Sequence, residues 1–206
     1  MDYFKNKAGE WDTPMKREMS EKFTAELLKN FPLSKSHKIM DYGCGTGLVG
    51  IELSKLAREV IYLDPSDAMI SILRQKLDAL KDFGRTIITG DVYSYNQRDI
   101  DLVTTLMALH HVEDIEGSLK HISQNILKQN GVIVIGDLRE EDGSFHNGDK
   151  IPHNGFNTDK LELQLKNAGF EIEKTYTYNT MNKQDKQYEQ FIMIARKSVK
   201  EQQAKA

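Results

Sequence analysis

His37-Lys38-Ile39-Met40-Asp41-Tyr42-Gly43-Cys44-Gly45-Thr46-Gly47-Leu48-Val49-Gly50 reads as a short strand, a glycine-rich turn and the start of a helix. Ile39 and Met40 supply the apolar strand. Gly43, Gly45 and Gly47 fall at every second position, where a missing Cβ permits a sharp bend. Leu48, Ile51, Leu53 and Leu56 then move the apolar period toward that of a helix. Such a unit predicts free backbone N–H groups at the helix start, open to close approach by a ligand.

The chain around it repeats the same alternation. Thr13-Pro14 is a helix-start signal. Met15, Met19, Phe23 and Leu27 follow at helical spacing, so residues 14–30 are expected to be helical. This helix either caps the mouth of a site or covers a sheet edge, and the aromatics Phe4 and Trp11 before it favour a lid. A helix at about 46–57, a strand at 59–64 and a helix from the Ser66 cap to about Leu80 come next. Strands are then expected at 85–89, 100–106 and 132–136, with a helix from Asp114 to Lys128 between the last two. A polar loop, residues 139–156, precedes a helix from Thr158 to about Ala168. Two closing strands, near 171–178 and 188–196, flank the polar segment 179–186. Their connection is too short for a crossover helix, so they pair as an antiparallel hairpin.

Alternation of strand and helix predicts an α/β fold, a doubly wound, mostly parallel sheet with right-handed crossovers and one reversed strand at the end. At 206 residues the chain forms one domain. It has an N-terminal cap segment and helix (1–30), a loop on the acceptor side of the site (139–156) and a frayed tail (197–206). Hydrophobic residues are 39% and charged residues 29%, which excludes a disordered chain. The net charge of −3 gives no global attraction for polyanions, so nucleic acid and acidic membranes are disfavoured as partners. Cys44 is the single cysteine and the N-terminus has no apolar run, so a cytoplasmic protein is expected. No residue pattern sets an oligomeric state.

Ligands of such sheets sit beyond the carboxyl ends of the strands, at the point where strand order reverses. Asp41, Asp64-Pro65, Asp91-Val92, Met107 to His111 and Asp137 follow successive strands. Asp64 lies about 20 residues after Gly43, where an acidic side chain accepts hydrogen bonds from ribose hydroxyls. Asp91 is placed for an adenine amino group with Val92 beside the ring; a capping role competes. A pyrophosphate turn reads G-x-G-x-x-G, but here Leu48 stands where its third glycine belongs. Asp41 also suits a cationic ligand better than a pyrophosphate. The pattern points to an adenine nucleoside without a diphosphate and with positive character.

Asp41-Tyr42-Gly43-Cys44-Gly45-Thr46-Gly47, with Asp64, Gly90-Asp91 and Asp101-Leu102-Val103-Thr104, resembles the class I S-adenosylmethionine-dependent methyltransferases over roughly residues 14–196. The resemblance implies a seven-stranded Rossmann-like sheet with an antiparallel last strand. It implies S-adenosyl-L-methionine as cofactor and S-adenosyl-L-homocysteine as product. Gly43, Gly45 and Gly47 would line the methionine moiety, with Asp41 near its amino group. Asp64 with Pro65 would hold the ribose, Asp91 with Val92 the adenine, and Met107 would pass near the sulfonium. Cys44, inside the motif, is expected to be a small buried residue rather than a nucleophile.

Methyl transfer is an in-line displacement, and a general base is needed only when the acceptor must lose a proton. His110 and His111 are the candidate catalytic residues, with His146 and His153 in the long loop as further bases. Adjacent residues on an extended segment face opposite sides, so one of His110 and His111 is expected in the pocket. His110, His111 and Asp114 complete no ligand set, so no metal is expected. Leu106-Met107-Ala108-Leu109-His110 lacks the Asn/Asp-Pro-Pro-aromatic motif of many methyltransferases acting on amino groups of bases or of glutamine. A small-molecule acceptor is therefore preferred, and quinone-pathway ring methylation has a similar layout. A protein or RNA methyltransferase, a non-methylating binder of the same nucleotide or a carboxylated-cofactor enzyme, and an NAD oxidoreductase are the alternatives.

Overall fold

The computed structural model describes residues 4–5, 7–81, 85–146, 149–183 and 185–198. Most of the expected tail, from 199 onward, lies outside them. Seven strands form one sheet: β1 (Lys38–Tyr42), β2 (Glu59–Asp64), β3 (Arg85–Thr89), β4 (Ile100–Leu106), β5 (Leu127–Leu138), β6 (Phe170–Lys183) and β7 (Lys186–Lys197). Their order is β3-β2-β1-β4-β5-β7-β6. The first five run parallel, and β7 is antiparallel to both β5 and β6. The order reverses between β1 and β4, and the site opens there.

Period-2 alternation sends each strand's residues to opposite layers. Ile39, Val60, Tyr62, Leu102, Val134 and Ile194 face a layer built from α1 (Pro14–Asn30), α2 (Leu48–Ser54) and α3 (Asp67–Ala79). Met40, Ile61, Leu63, Val103, Ile133 and Met193 face α4 (Ile115–His121) and α5 (Thr158–Asn167). Burial of each such side chain contributes about 1.5–3 kcal/mol, so the two apolar layers fix which face each helix occupies. Phe23 of α1 is wholly buried and packs on Gly136 of β5, where a Cβ would stand 2.5 Å from its ring. That contact seats α1 beside the mouth of the sheet.

The caps read from sequence form. The Thr13 hydroxyl accepts from the Lys16 N–H at 3.3 Å and the Ser66 hydroxyl from the Met69 N–H at 3.2 Å. Three elements differ from expectation. The helix expected over 114–128 ends at His121; a π turn, Ile122–Ile126, follows and β5 begins at Leu127. Leu127 pairs with Ile100 across a bulge, so sheet pairing overrides the helical period at this point. The helix expected at about 46–57 is shorter, running Leu48–Ser54, with Gly47 at φ 84° as its N-cap. Residues 179–183 of the polar segment are strand and not a loop: β6 and β7 stay paired out to Lys183 and Lys186. The hairpin therefore projects beyond β5, whose pairing with β7 stops at Leu138–Gln190.

Candidate active site

A cavity of about 740 Å³ opens at the carboxyl ends of β1, β2 and β4. Its floor is the glycine turn. Gly43, Gly45 and Gly47 have φ of 70°, 52° and 84°, left-handed values that L side chains rarely adopt. At Gly43 the need is also steric, since a Cβ would lie 2.3 Å from that of Ala108 on the loop after β4.

Four N–H groups of the turn, those of Gly43, Cys44, Gly45 and Gly47, are engaged within the protein. Gly43 and Cys44 donate to the Leu63 carbonyl at 2.8 and 3.1 Å, and Gly47 to the Cys44 carbonyl at 2.8 Å. Gly45 donates to Asp64 Oδ2 at 2.8 Å. Three of these bonds stitch the turn to β2. Its polar equipment is acceptors: Asp41, Asp64, Asp91 and Asp114 all line the cavity.

Asp64 is buried, its second oxygen taking the Ser66 N–H at 2.8 Å. Asp41 is also buried and accepts from the Gly50 N–H at 2.9 Å, tying β1 to α2. Burial and the neighbouring Asp64 charge push the Asp41 carboxyl up to about 7, against the pull of that hydrogen bond. Asp91 caps a short turn, its Oδ1 accepting from the Tyr93 N–H at 3.1 Å, so the capping role is real while the residue still faces the cavity. Val92 is buried beside it, and Pro65 is exposed at the rim. Cys44 is buried, and burial with the charges of Asp41 and Asp64 pushes its thiol well above the usual range, which suits a packing residue and not a nucleophile.

The region after β4 departs from expectation. Leu109–His111 is a 3-10 turn and not an extended segment, so His110 and His111 both line the cavity, their ring centroids 4.3 Å apart. His110 is buried, with Nδ1 2.7 Å from Asp137 Oδ1 and its own N–H 3.3 Å from Asp137 Oδ2. Asp137, fully buried at the end of β5, takes the Leu138 N–H as well at 2.8 Å. A carboxylate only accepts, so His110 carries its proton on Nδ1 and presents the lone pair of Nε2.

His146, from the loop after β5, brings a third imidazole 4.8 Å from His110, and its buried Nε2 has no hydrogen-bond partner among the described residues. Burial, reinforced by the other imidazoles, pushes His111 down to about 3 and His146 down to about 4. His153 is engaged elsewhere, its Nε2 2.9 Å from the Val112 carbonyl. Among the described residues no cluster of His, Cys, Asp or Glu can hold a metal. Met107 sits at φ 52° at the cavity wall, and the buried Gln190 amide contacts its sulfur at 3.1 Å and that of Met19 at 3.0 Å.

The segment before α1 forms the roof. Asp12 accepts from the Thr46 hydroxyl in the glycine turn and pairs with Lys76 of α3, which also donates to the Thr46 carbonyl at 2.8 Å. Trp11 lies over Gly45, Phe4 stacks edge-on against Trp11 at 5.3 Å, and Phe4 reaches the His111 ring at 5.2 Å. Phe4, Lys7 and Trp11 of this segment line the cavity. Sequence reasoning missed Asp12, Met181 and Lys183, and gave Asp137 no role. The strand-end position of Asp137 was a usable signal; the other three depend on long-range placement.

A methyltransferase domain model matches residues 15–175, more than half of the chain. The chain belongs to the methyltransferase domain family. Its relatives include an uncharacterized methyltransferase of Schizosaccharomyces pombe, 26% identical over 160 residues, covering 68% of this chain and 56% of that protein. A ubiquinone biosynthesis O-methyltransferase of Bradyrhizobium diazoefficiens is 32% identical over 111 residues, covering 52% of this chain and 42% of that one. The chain spans about half the length of the curated relatives it matches. A chain from the complex between the Haloferax volcanii Trm112 methyltransferase activator and its methyltransferase shares the fold at a TM-score of 0.82 and 14% identity, with 97% of this chain and 99% of that one covered.

The cofactor of this methyltransferase family is S-adenosyl-L-methionine, and the site fits it. Buried carboxylates suit ribose hydroxyls and a cationic sulfonium, and the glycines of the floor let the cofactor approach the main chain closely. The engagement of the Gly43, Cys44, Gly45 and Gly47 N–H groups leaves fewer donors for a pyrophosphate. Among the described residues no helix is long and apolar enough to cross a membrane.

Proposed function

We propose that the chain transfers the methyl group of S-adenosyl-L-methionine to a small-molecule acceptor. The observation that carries this reading is the enclosure of the cavity: Phe4 and Trp11 above, the glycine turn below and the projecting hairpin at the side. A volume near 740 Å³ lies in the range of small-ligand pockets, and a roofed chamber admits a metabolite more readily than a polymer chain. The relative that acts in ubiquinone biosynthesis is consistent with such an acceptor.

Bound S-adenosyl-L-methionine supplies an electrophilic methyl group on a sulfonium. Asp64 would hold the ribose edge, Asp91 and Val92 the adenine, and Gly43 to Gly47 would bear on the amino-acid portion. Met107, with its sulfur held by Gln190, shapes the wall next to the acceptor. His110 is the general base in this reading. Its Nε2 accepts the proton of an acceptor hydroxyl while Asp137 holds Nδ1–H and stabilises the imidazolium that results. The roof excludes water, which keeps the acceptor aligned and protects the transfer from hydrolysis.

Calorimetric titration with S-adenosyl-L-homocysteine, S-adenosyl-L-methionine and NAD tests the cofactor half. Binding of NAD without either sulfur nucleotide would overturn the reading. Release of S-adenosyl-L-homocysteine across a metabolite library tests the acceptor half; turnover on a protein or RNA alone would replace the small-molecule assignment.

A further inference from the structure

The two ends of the cavity carry opposite charge. Asp41, Asp64, Asp91 and Asp114 gather at the cofactor end. At the other end, under the roof, the lining includes Lys7, Lys16 and Lys183 beside His111 and His146. The three lysines come from separate elements: the roof segment, the first turn of α1 and the projecting end of β6. Only the strand extension beyond Tyr178 brings Lys183 to the site.

Among the described residues Lys16 and Lys183 stand in no ion pair. The Lys16 ammonium lies over the Trp11 ring, 2.9 Å from its centroid. Lys183 donates to the Phe145 carbonyl and lies 4.7 Å from the Phe145 ring. Lys7 pairs with Asp149 at 2.8 Å at the same end. Aromatic faces hold an ammonium with about 0.5–2 kcal/mol, which does not replace lost hydration. Burial, with repulsion from Lys7 and Lys183, pushes Lys16 down to about 8 against the opposing pull of the Asp12 carboxylate. Burial lowers Lys183 as well, against the partial offset of Glu141 and Asp149. Two half-buried cations held by ring faces in a ligand cavity form an arrangement completed by an anion.

We propose that the acceptor carries an oxyanion, a carboxylate or a phosphate ester, which binds between Lys16, Lys183 and Lys7 and so fixes the nucleophile beside His110. This inference rests on the methyltransferase reading and names the chemical class of its substrate. The same charge division orients the pair: a cationic cofactor and an anionic acceptor each enter the end that attracts them.

The test uses benzoate, phenyl phosphate and the neutral isostere benzamide, titrated calorimetrically into the full chain saturated with S-adenosyl-L-homocysteine. At least one anion is expected to bind roughly tenfold or more tightly than benzamide, and which one does so separates carboxylate from phosphate recognition. Lys16→Met with Lys183→Met should abolish the difference while S-adenosyl-L-homocysteine still binds. Raising NaCl from about 0.05 to about 0.5 M in the unsubstituted protein should weaken the anion and leave benzamide alone, an arm that needs no variant. Benzamide binding as tightly as both anions, or a preference that survives the double substitution, overturns the proposal. Failure of S-adenosyl-L-homocysteine to bind would instead overturn the methyltransferase reading.

Discussion

His110 Nδ1 and Asp137 Oδ1 lie 2.7 Å apart in a buried pocket at the ends of two neighbouring strands, β4 and β5. The carboxylate also receives two backbone N–H groups, so its position is fixed by the sheet and not by the imidazole. It can hold the ring in one tautomer through a catalytic cycle.

Replacement of Asp137 by Asn puts an amide where Nδ1 donates, which favours the wrong tautomer. For an acceptor that loses a proton, Asp137→Asn and His110→Gln should each reduce the single-turnover rate by about 10²–10⁴-fold. Affinity for S-adenosyl-L-homocysteine should change less than about twofold in His110→Gln, within the scatter of such measurements. An undiminished rate in both variants removes the base from the mechanism.

Asp64 has two duties, and a substitution series separates them. Asp64→Ala removes the acceptor for ribose and the partner of the Gly45 and Ser66 N–H groups, so cofactor affinity should fall about 10–100-fold, or roughly 1.4–2.8 kcal/mol. Stability should fall too, because two N–H groups lose their acceptor, at about 1–3 kcal/mol each if left buried. Calorimetry and thermal unfolding on the same sample check both. An unchanged affinity takes Asp64 out of the ribose role.

Gly43 and Ala108 can be tested as a pair. Gly43→Ala meets both a left-handed φ of 70° and the Ala108 methyl at 2.3 Å, at a cost of about 2–4 kcal/mol. Adding Ala108→Gly removes the collision and leaves the backbone strain, so denaturant unfolding should show partial recovery. Full recovery, or none, would contradict this division of causes.

Acid stability depends on the histidine cluster. His111 and His146 take up a proton near pH 6.5 when unfolded but at about 3 and about 4 in the native protein. Between those limits the unfolded chain binds more protons, so stability is present above pH 6.5 and is lost as pH falls toward the native values. Each imidazole costs no more than about 2 kcal/mol between pH 6.5 and 5. Asp41, raised to about 7, has the opposite sign: its contribution is present below pH 3.8 and is lost as pH rises through 7. His111→Gln should therefore lose less thermal stability than the unsubstituted protein between pH 7 and 5, by about 2–6 °C. Equal losses would refute the assignment.

The roof is held by Asp12. With its ties to Thr46 and Lys76 removed, Asp12→Ala should speed dissociation of S-adenosyl-L-homocysteine by about tenfold, a difference of about 1.4 kcal/mol. Stopped-flow measurement of Trp11 fluorescence reads this directly, since that ring lies over Gly45. An unaltered dissociation rate means the segment does not gate the site.

What could be read in the chain beforehand was local in origin. The glycine turn, the Thr13 and Ser66 caps and the strand-end aspartates are set by neighbours in sequence, and they were legible there. His110 and Asp137 were each visible as strand-end residues, but their contact is a product of β4 lying next to β5. The pairing of Leu127 with Ile100 cuts a helix short where the apolar period continues. The hairpin tip escaped notice because residues 179–186 are polar: they serve a projecting ribbon, not a buried strand, so no hydrophobic alternation marks them. The ties of the Gly43 and Cys44 N–H groups were not legible for a related reason, since their partner is the Leu63 carbonyl of a different strand.

The position of β7 bears on how the molecule is made. This strand is last in the chain yet interior in the sheet, bonded on both sides. A nascent polypeptide emerging N-terminus first can pair β1 to β5 and still present the open edge of β5 until Lys186–Lys197 arrives. Synthesis therefore leaves an interval in which a long apolar edge is available to other chains. Cellular yield of this protein should depend on how well that interval is shielded, and a lesion in β7 should produce aggregation rather than a folded protein with a weakened site.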